Sequence, residues 1–329
     1  IILMIKKNIE KFVSKQNKKI NIFTPGPATL LKENIISLQT CFGRGDKNYL
    51  NLAKRVEKNL KKISGHNEII SFQGSGSLAC EILCSNFLSG RVLIISTGYY
   101  SDRLYEMSLH AMKNFKFIKK VDKIDWKNIK NIKKKYDWIW CCYVETSIGL
   151  KLPILDLKKL SKKLNAKLAL DATASIGLED NHGYADVISF SSCKGLFGLT
   201  GAAFVASKKM PKNNVKSFYL NYFSHSNKKM TGPYHTLQSM DLVLLNYKFF
   251  LKSVSTNKKK FILKYKDYLK YDNNYQPLIC TYILKKLKPK NKKTILYSPR
   301  IKSEGSVASH LGEVYLGNKS KGIILNNLK

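Results

Sequence analysis

The chain has 329 residues, 44% hydrophobic and 24% charged, close to the averages for soluble globular proteins, which excludes a disordered or fibrous chain. That length exceeds the size at which one core usually keeps growing, so a large domain with a smaller lobe is expected. A formal charge of +36 raises a nucleic-acid partner, but arginine occurs only at Arg44, Arg55, Arg91, Arg103 and Arg300 while lysine is spread through nearly every segment, which reads as compositional drift with a general attraction for anions.

The opening Ile1 to Met4 run is followed by Lys6 and Lys7, too short an apolar stretch for a spanning helix and without a small-residue cleavage site. Residues 1–20 are read as an N-terminal extension. Residues 47–63 carry apolar residues at helical spacing and end near Gly65, which predicts a long amphipathic helix. Short β-rich runs follow at 68–72, 92–96, 115–119, 138–143, 167–170, 187–190 and 202–206. Helical patterns at 78–88, 102–113, 127–135 and 155–164 alternate with them, the sequence form of βαβ units around a mostly parallel sheet. Residues 237–254 read as one long helix joining two lobes. The large domain is taken as 21–257 and a lysine-rich smaller domain as 258–329. Lysine runs at 133–135 and 258–260 are read as solvated helix faces. Seven cysteines without a C-x-x-C pair fit neither a disulfide framework nor a zinc ribbon, and point to a reducing cytoplasm and no metal.

The chemistry concentrates at predicted strand ends. Asp171 to Ser175 closes one strand, and Ser191-Ser192-Cys193-Lys194-Gly195 follows the next. Pyridoxal 5'-phosphate needs a lysine to hold its aldehyde carbon as a Schiff base and an acid to keep its ring nitrogen protonated. Asp171 and Lys194 supply both from adjacent carboxyl ends of a parallel sheet, where open α/β folds place ligands. Thr173 and Ser191 in the same stretches are candidate cofactor contacts. Asp171 could equally cap a turn and Lys194 be one more surface lysine. Lys194, however, lies in the apolar and small-residue stretch 190–201, where a solvated lysine is less expected.

A phosphate site is the second requirement. Gln73-Gly74-Ser75-Gly76-Ser77 leaves a predicted strand and opens a predicted helix, so unpaired amides, the helix dipole and the hydroxyls of Ser75 and Ser77 converge beside Gly76. Many strand-to-helix turns use such residues for conformational freedom alone. Tyr100 could stack on a flat heterocycle or simply pack in a crevice. In Glu145-Thr146-Ser147, Thr146 could bond the cofactor's phenolic oxygen or cap a turn.

In this order the segments Phe23-Thr24-Pro25-Gly26-Pro27, Phe72 to Ser77, Gly98-Tyr99-Tyr100-Ser101-Asp102-Arg103, Glu145-Thr146-Ser147, Asp171 to Gly177 and Lys194 resemble the class V aminotransferases. Within them, the match is most similar to those acting on 2-aminoethylphosphonate and pyruvate. It covers residues 20 to 250 well and the C-terminal part poorly. The resemblance implies a fold type I pyridoxal-phosphate enzyme with a smaller C-terminal α/β domain. It also implies a Lys194 aldimine and a homodimer in which Tyr234 and Thr236 of one chain reach the other's cofactor phosphate. The family's C-terminal carboxylate-binding arginine has no counterpart in Ser306 to Gly312, and Arg300 or Arg44 is a candidate substitute. Tyr143, Ile148 and Cys193 are smaller departures. Open alternatives are serine or alanine–glyoxylate transamination, a lyase or epimerase on the same scaffold, and a cofactor-binding paralogue without turnover. A nucleic-acid binder is disfavoured, because no groove-reading motif is visible.

Overall fold

The computed structural model describes residues 2–227, 229–319 and 326–329. The chain opens with helix α1 (Ile2–Asn17), strand β1 (Asn21–Phe23), α2 (Lys32–Ile36) and α3 (Lys47–Ser64). On α3 the buried residues Tyr49, Leu52, Ala53, Val56 and Leu60 recur at helical spacing, and Gly65 ends the helix in the left-handed conformation at φ 69°. Strands and helices then alternate: β2 (Glu68–Gln73), α4 (Gly76–Phe87), β3 (Gly90–Ser96), α5 (Tyr99–Phe115), β4 (Ile118–Asp125) and β5 (Trp138–Cys142). There follow a hairpin of β6 (Val144–Glu145) and β7 (Leu150–Lys151), then α6 (Ile154–Leu164), β8 (Lys167–Asp171), β9 (Val187–Ser191) and β10 (Ala202–Ser207). The remainder holds α7 (Tyr222–Ser226), α8 (Tyr234–Leu245), α9 (Tyr247–Lys264), β11 (Cys280–Ile283), β12 (Thr294–Leu296) and β13 (Ser306–Ser309).

Seven strands form one sheet in the order β2-β10-β9-β8-β5-β3-β4. Within it β10 runs against β2 and β9, and the other pairs are parallel. The carboxyl ends of β2, β9, β8, β5 and β3 therefore share one edge. The period-two alternation of strand side chains gives the sheet two apolar faces. Ile139 and Cys141 pack with α3, α6 and α8 on one face, while Trp138, Trp140 and Cys142 pack with α4 and α5 on the other. This α/β architecture with a mostly parallel central sheet is the one the sequence predicts.

Three elements differ from the sequence reading. The helix expected over 237–254 is two helices broken at Asn246. Met240 and Leu244 pack into the core beneath the sheet, whereas Phe250 and Val254 belong to a separate cluster with Tyr282 and Val307. Residues 127–135 form only a 3-10 turn over Trp126–Asn131, because the lysines at 133–135 leave too narrow an apolar stripe to hold a longer helix. The strand expected at 115–119 begins later, at Ile118, because α5 continues to Phe115 and Lys116 turns the chain at φ 60°.

Beyond the sheet, β1 pairs in parallel with β12 and β11 with β13. Phe23 thus joins Phe261, Ile283, Leu287 and Ala308 in a small core apart from the sheet, and Lys258 lies within α9. Among the described residues the seven cysteines are unpaired, no metal-ligating cluster occurs, and no helix is long and apolar enough to cross a membrane.

Two buried histidines connect this packing to pH. His182 shares a 2.9 Å hydrogen bond with Ser175 Oγ, and His310 a 2.8 Å bond with Thr281 Oγ1. Burial pushes both imidazoles down to about 3. Each is therefore neutral in the folded chain at pH values where it is charged when unfolded, so its contribution is complete above about 6.5 and is lost progressively as pH falls towards 3. Urea unfolding of the wild type should show of order 2 kcal/mol lost per histidine between pH 7 and pH 5. His310→Gln should flatten that slope, and an unchanged slope would refute the assignment.

Candidate active site

A cavity of about 220 Å³ opens at the carboxyl edge of the sheet, lined by Gly76, Ser77, Tyr100, Arg103, Thr146, Asp171, Thr173, Ser191, Cys193 and Lys194 among others. A larger groove of about 720 Å³ between the 3-10 turn and α6 is lined by Trp126, Leu157, Leu160, Tyr275 and several lysines. It lacks the convergence of acid, lysine and helix N-terminus found in the smaller cavity, so chemistry rather than size selects the site.

The β8–β9 pairing sets the acid and the lysine side by side. Asp171 lies opposite Ser189 in parallel register, so the turn leaving β9 carries Lys194 past the same sheet edge. Asp171 Oδ1 accepts the amide of Thr173 at 2.9 Å, and the Cys142 thiol stands 3.9 Å from its Oδ2. One oxygen is thereby oriented while the other keeps its accepting capacity.

Lys194 is half-buried, with its Nζ 5.6 Å from the centroid of the Tyr100 ring. Its aliphatic stem runs against Gly26, where an added Cβ would stand 2.8 Å from Lys194 Cγ and the backbone is at φ 118°. Both facts require glycine there. The Ala28 amide donates to the Cys193 carbonyl at 2.7 Å, and the Phe197 amide to the Lys194 carbonyl at 3.0 Å. Buried Asn34 holds the same loop, donating to the carbonyls of Phe197 and Ser239 while its Oδ1 accepts the Leu31 amide. The lysine's loop is thus held by two groups far away in sequence, the Ala28 amide and the Asn34 side chain.

Ser75 is the exposed N-cap of α4, and Gly76 and Ser77 form its first turn. A Cβ on Gly76 would stand 2.9 Å from Thr173 Oγ1, so only glycine lets the turn approach the β8 end this closely. Thr173 Oγ1 is buried without a partner. Arg103, one turn along α5 from Tyr100, donates from Nη2 to Ser77 Oγ at 2.6 Å. Amides at a helix N-terminus, an unspent hydroxyl and a guanidinium together make a site for a multiply charged anion. Sequence reasoning quoted Arg103 but gave it no role. The signal available was its position three residues beyond Tyr100, which puts both on one helix face.

The Glu145 segment has a different use from the one expected of its hydroxyls. Fully buried Glu145 accepts the amides of Tyr100, Ser101 and Ser147, each at 3.1 Å, and the Ser147 hydroxyl at 2.5 Å. Burial raises its carboxyl above the ordinary range, against the pull of these hydrogen bonds. It fixes the start of α5, and hence Tyr100 and Arg103, and leaves Thr146 facing the cavity. Tyr143 is turned away from the site, donating to the Asp180 carbonyl at 3.1 Å, whereas Cys193 lines it. Tyr234 and Thr236 lie outside the cavity of their own chain. Tyr234 stacks on Tyr49 and donates to the Thr40 carbonyl, and Thr236 donates to the Thr200 carbonyl.

Comparison with known proteins bears on this geometry. The family described as aminotransferase class-V matches residues 48–234. A bifunctional phosphonoacetaldehyde hydrolase/aminoethylphosphonate transaminase of Clostridioides difficile is 25% identical over 83% of this chain and 48% of that protein. A 2-aminoethylphosphonate–pyruvate transaminase of Klebsiella pneumoniae is 25% identical over 66% of each. The chain thus spans about half of the first relative's length and just under two thirds of the second's. Among solved structures, an alanine–glyoxylate aminotransferase from Nostoc sp. superposes with a TM-score of 0.76 at 15% identity, covering 90% of this chain and 91% of that one. An aspartate aminotransferase from Thermus thermophilus superposes with a TM-score of 0.75 at 18% identity, covering 89% and 93%.

Gly26→Ala tests the packing around the lysine. The methyl group crowds the Lys194 stem at a backbone φ of 118°, so where wild-type protein is expected to turn yellow with pyridoxal phosphate the variant should lose most of that absorbance, while its far-UV circular dichroism is retained. A wild-type band in Gly26→Ala would contradict the placement of Lys194.

Proposed function

The chain belongs to the class V aminotransferase family, and from that premise we propose that it moves an amino group from 2-aminoethylphosphonate, or a similarly small amine, to pyruvate. Membership carries the cofactor with it, pyridoxal 5'-phosphate. The cavity fits that group: Thr173 Oγ1 is an unpartnered buried donor beside a helix N-terminus, and Asp171 presents an oriented carboxylate with an unfilled oxygen. The observation that carries the reading is the placing of Asp171 and Lys194 at one sheet edge within a single small cavity that also holds an anion site.

When bound, the cofactor supplies an electron-accepting ring that makes the substrate's amino-bearing carbon acidic. The chain's residues do the rest. Asp171 would hold the ring nitrogen with its free oxygen, oriented through the Thr173 amide. Ser75, Gly76, Ser77, Thr173 and Arg103 would hold the phosphate. Tyr100 would cover one ring face, Thr146 would bond the phenolic oxygen, and Ser191 would close the side of the cavity next to β9. Lys194 would bind the aldehyde carbon and, when displaced by substrate, move the proton at its Nζ to and from the substrate carbon. Tyr234 and Thr236, which leave their own cavity untouched, would serve the phosphate of a second copy in a homodimer.

Support for the donor comes from the relatives named for aminoethylphosphonate and from the cationic lining of the site, which suits a substrate bearing a phosphonate. Purified protein with pyridoxal phosphate, 2-aminoethylphosphonate and pyruvate should yield alanine and phosphonoacetaldehyde in equal amounts. Lys194→Ala should be slower by about a thousandfold or more. If glyoxylate accepts the group and pyruvate does not, the acceptor is wrong. If no amine leaves the phosphonate, the donor is wrong.

A further inference from the structure

The groove of about 720 Å³ between the 3-10 turn and α6 has no part in the chemistry derived above, and no residue lines both it and the Lys194 cavity. Its volume falls in the range of sites that enclose small organic ligands. Two parallel strands of a sheet are usually joined by a covering helix, yet between β4 and β5 the chain makes only the 3-10 turn over Trp126–Asn131. The flank of α6 that carries Asp156, Lys159, Leu160 and Lys163 at helical spacing therefore faces an open groove.

Three kinds of surface meet there. Buried Leu152, Leu157 and Leu160 form the floor. Trp126 and Tyr275, both half-buried, make an aromatic corner, with ring centroids 5.5 Å apart and 51° between their planes. Tyr275 belongs to the segment after α9, so the corner joins the large domain to the C-terminal part of the chain. At the mouth stand exposed Lys127, Lys130, Lys159 and Lys163 against one acid, Asp156. Asp156 lies 4.0 Å from Lys159, and among the described residues no carboxylate comes within 4.0 Å of the other three lysines.

A row of lysines over plain solvent would be no more than a solvated helix face. Here the same lysines border apolar and aromatic surface. A lysine stem can lie along such surface and carry its ammonium over a bound anion.

We propose that this groove is a second ligand site, for a small amphiphilic anion. An apolar body of about ring size lies on the leucine floor against Trp126 and Tyr275, and its carboxylate or phosphate is held by Lys127, Lys130 and Lys163. A volume of this size takes one small molecule, whereas a docked helix needs a trough along several turns. The proposal goes beyond the amino-transfer reading and does not depend on it, because the two cavities share no lining residue.

Anilinonaphthalene sulfonate, a ring-bearing anion that fluoresces in apolar surroundings, is the probe, titrated into the full chain loaded with pyridoxal phosphate. Trp138 and Trp140 are buried in the sheet, so quenching of tryptophan emission reports on Trp126. The probe should bind with quenching, and more weakly as salt is raised. Changing two exposed lysines together, Lys130→Glu with Lys163→Glu, should weaken binding about tenfold or more and leave the thermal midpoint unchanged. Trp126→Leu should remove the quenching and weaken the probe as well. Phenylphosphate and phenylacetate should both displace the probe, and the one effective at lower concentration identifies the anionic group. Equal affinity in wild type and the double lysine variant, or no probe bound by wild type, overturns the proposal. Displacement by an acidic peptide but by neither small anion also overturns it, and makes the groove a protein-docking face.

Discussion

Parallel pairing of β8 with β9 is the constraint on which the site depends. Parallel strands direct all their carboxyl ends to one edge, and the register that sets Asp171 opposite Ser189 brings the loop with Lys194 over the same ground. A slip of one residue would turn Asp171 into the apolar face and take its carboxylate out of the cavity. The register is held by what each face buries: Leu168, Leu170, Ile188 and Phe190 on one side, Ala169 and Val187 on the other. Core packing and catalytic geometry are therefore one requirement, not two.

Around that pair, the remaining parts are positioned by groups that take no part in chemistry. Glu145 collects three amides and two hydroxyls and so fixes the start of α5. Asn34 ties the loop after Lys194 to α8. Gly26 gives the lysine stem its channel. Such buried polar groups are stable only when fully satisfied, and each of these has its partners. The electrostatic character is layered in the same way. The general excess of lysine attracts anions without selecting among them, while Arg103, which has no carboxylate partner among the described residues, lines the cavity, where geometry matters.

Much of this was legible in the sequence. Six of the seven strands of the sheet were visible as short β-rich runs at nearly their observed places, because strands buried on both faces leave little else to write, whereas the edge strand β4, lysine-rich and largely exposed, was placed three residues early. Asp171, Lys194 and the Gly-Ser turn were visible because they sit at strand ends, where a reader of an α/β pattern looks first. The break at Asn246 was not, since nothing local distinguishes a helix serving one core from two helices serving two. The channel provided by Gly26 was also hidden, because it depends on contact between residues far apart in sequence. Glu145 was read through its neighbours' hydroxyls, when a carboxylate two residues before a serine can as well be a buried cap, and only the fold decides between them. Tyr234 and Thr236 were assigned by resemblance, and a single chain gives them work within its own core.

The central claim is that one lysine among more than fifty carries the cofactor. Protein incubated with pyridoxal phosphate, reduced with borohydride and digested should be examined by peptide mass spectrometry. The account predicts the phosphopyridoxyl mass on the peptide containing Lys194 at close to one equivalent, with other lysines modified only at trace level. Label spread across the surface lysines, or concentrated on a lysine other than Lys194, would contradict it.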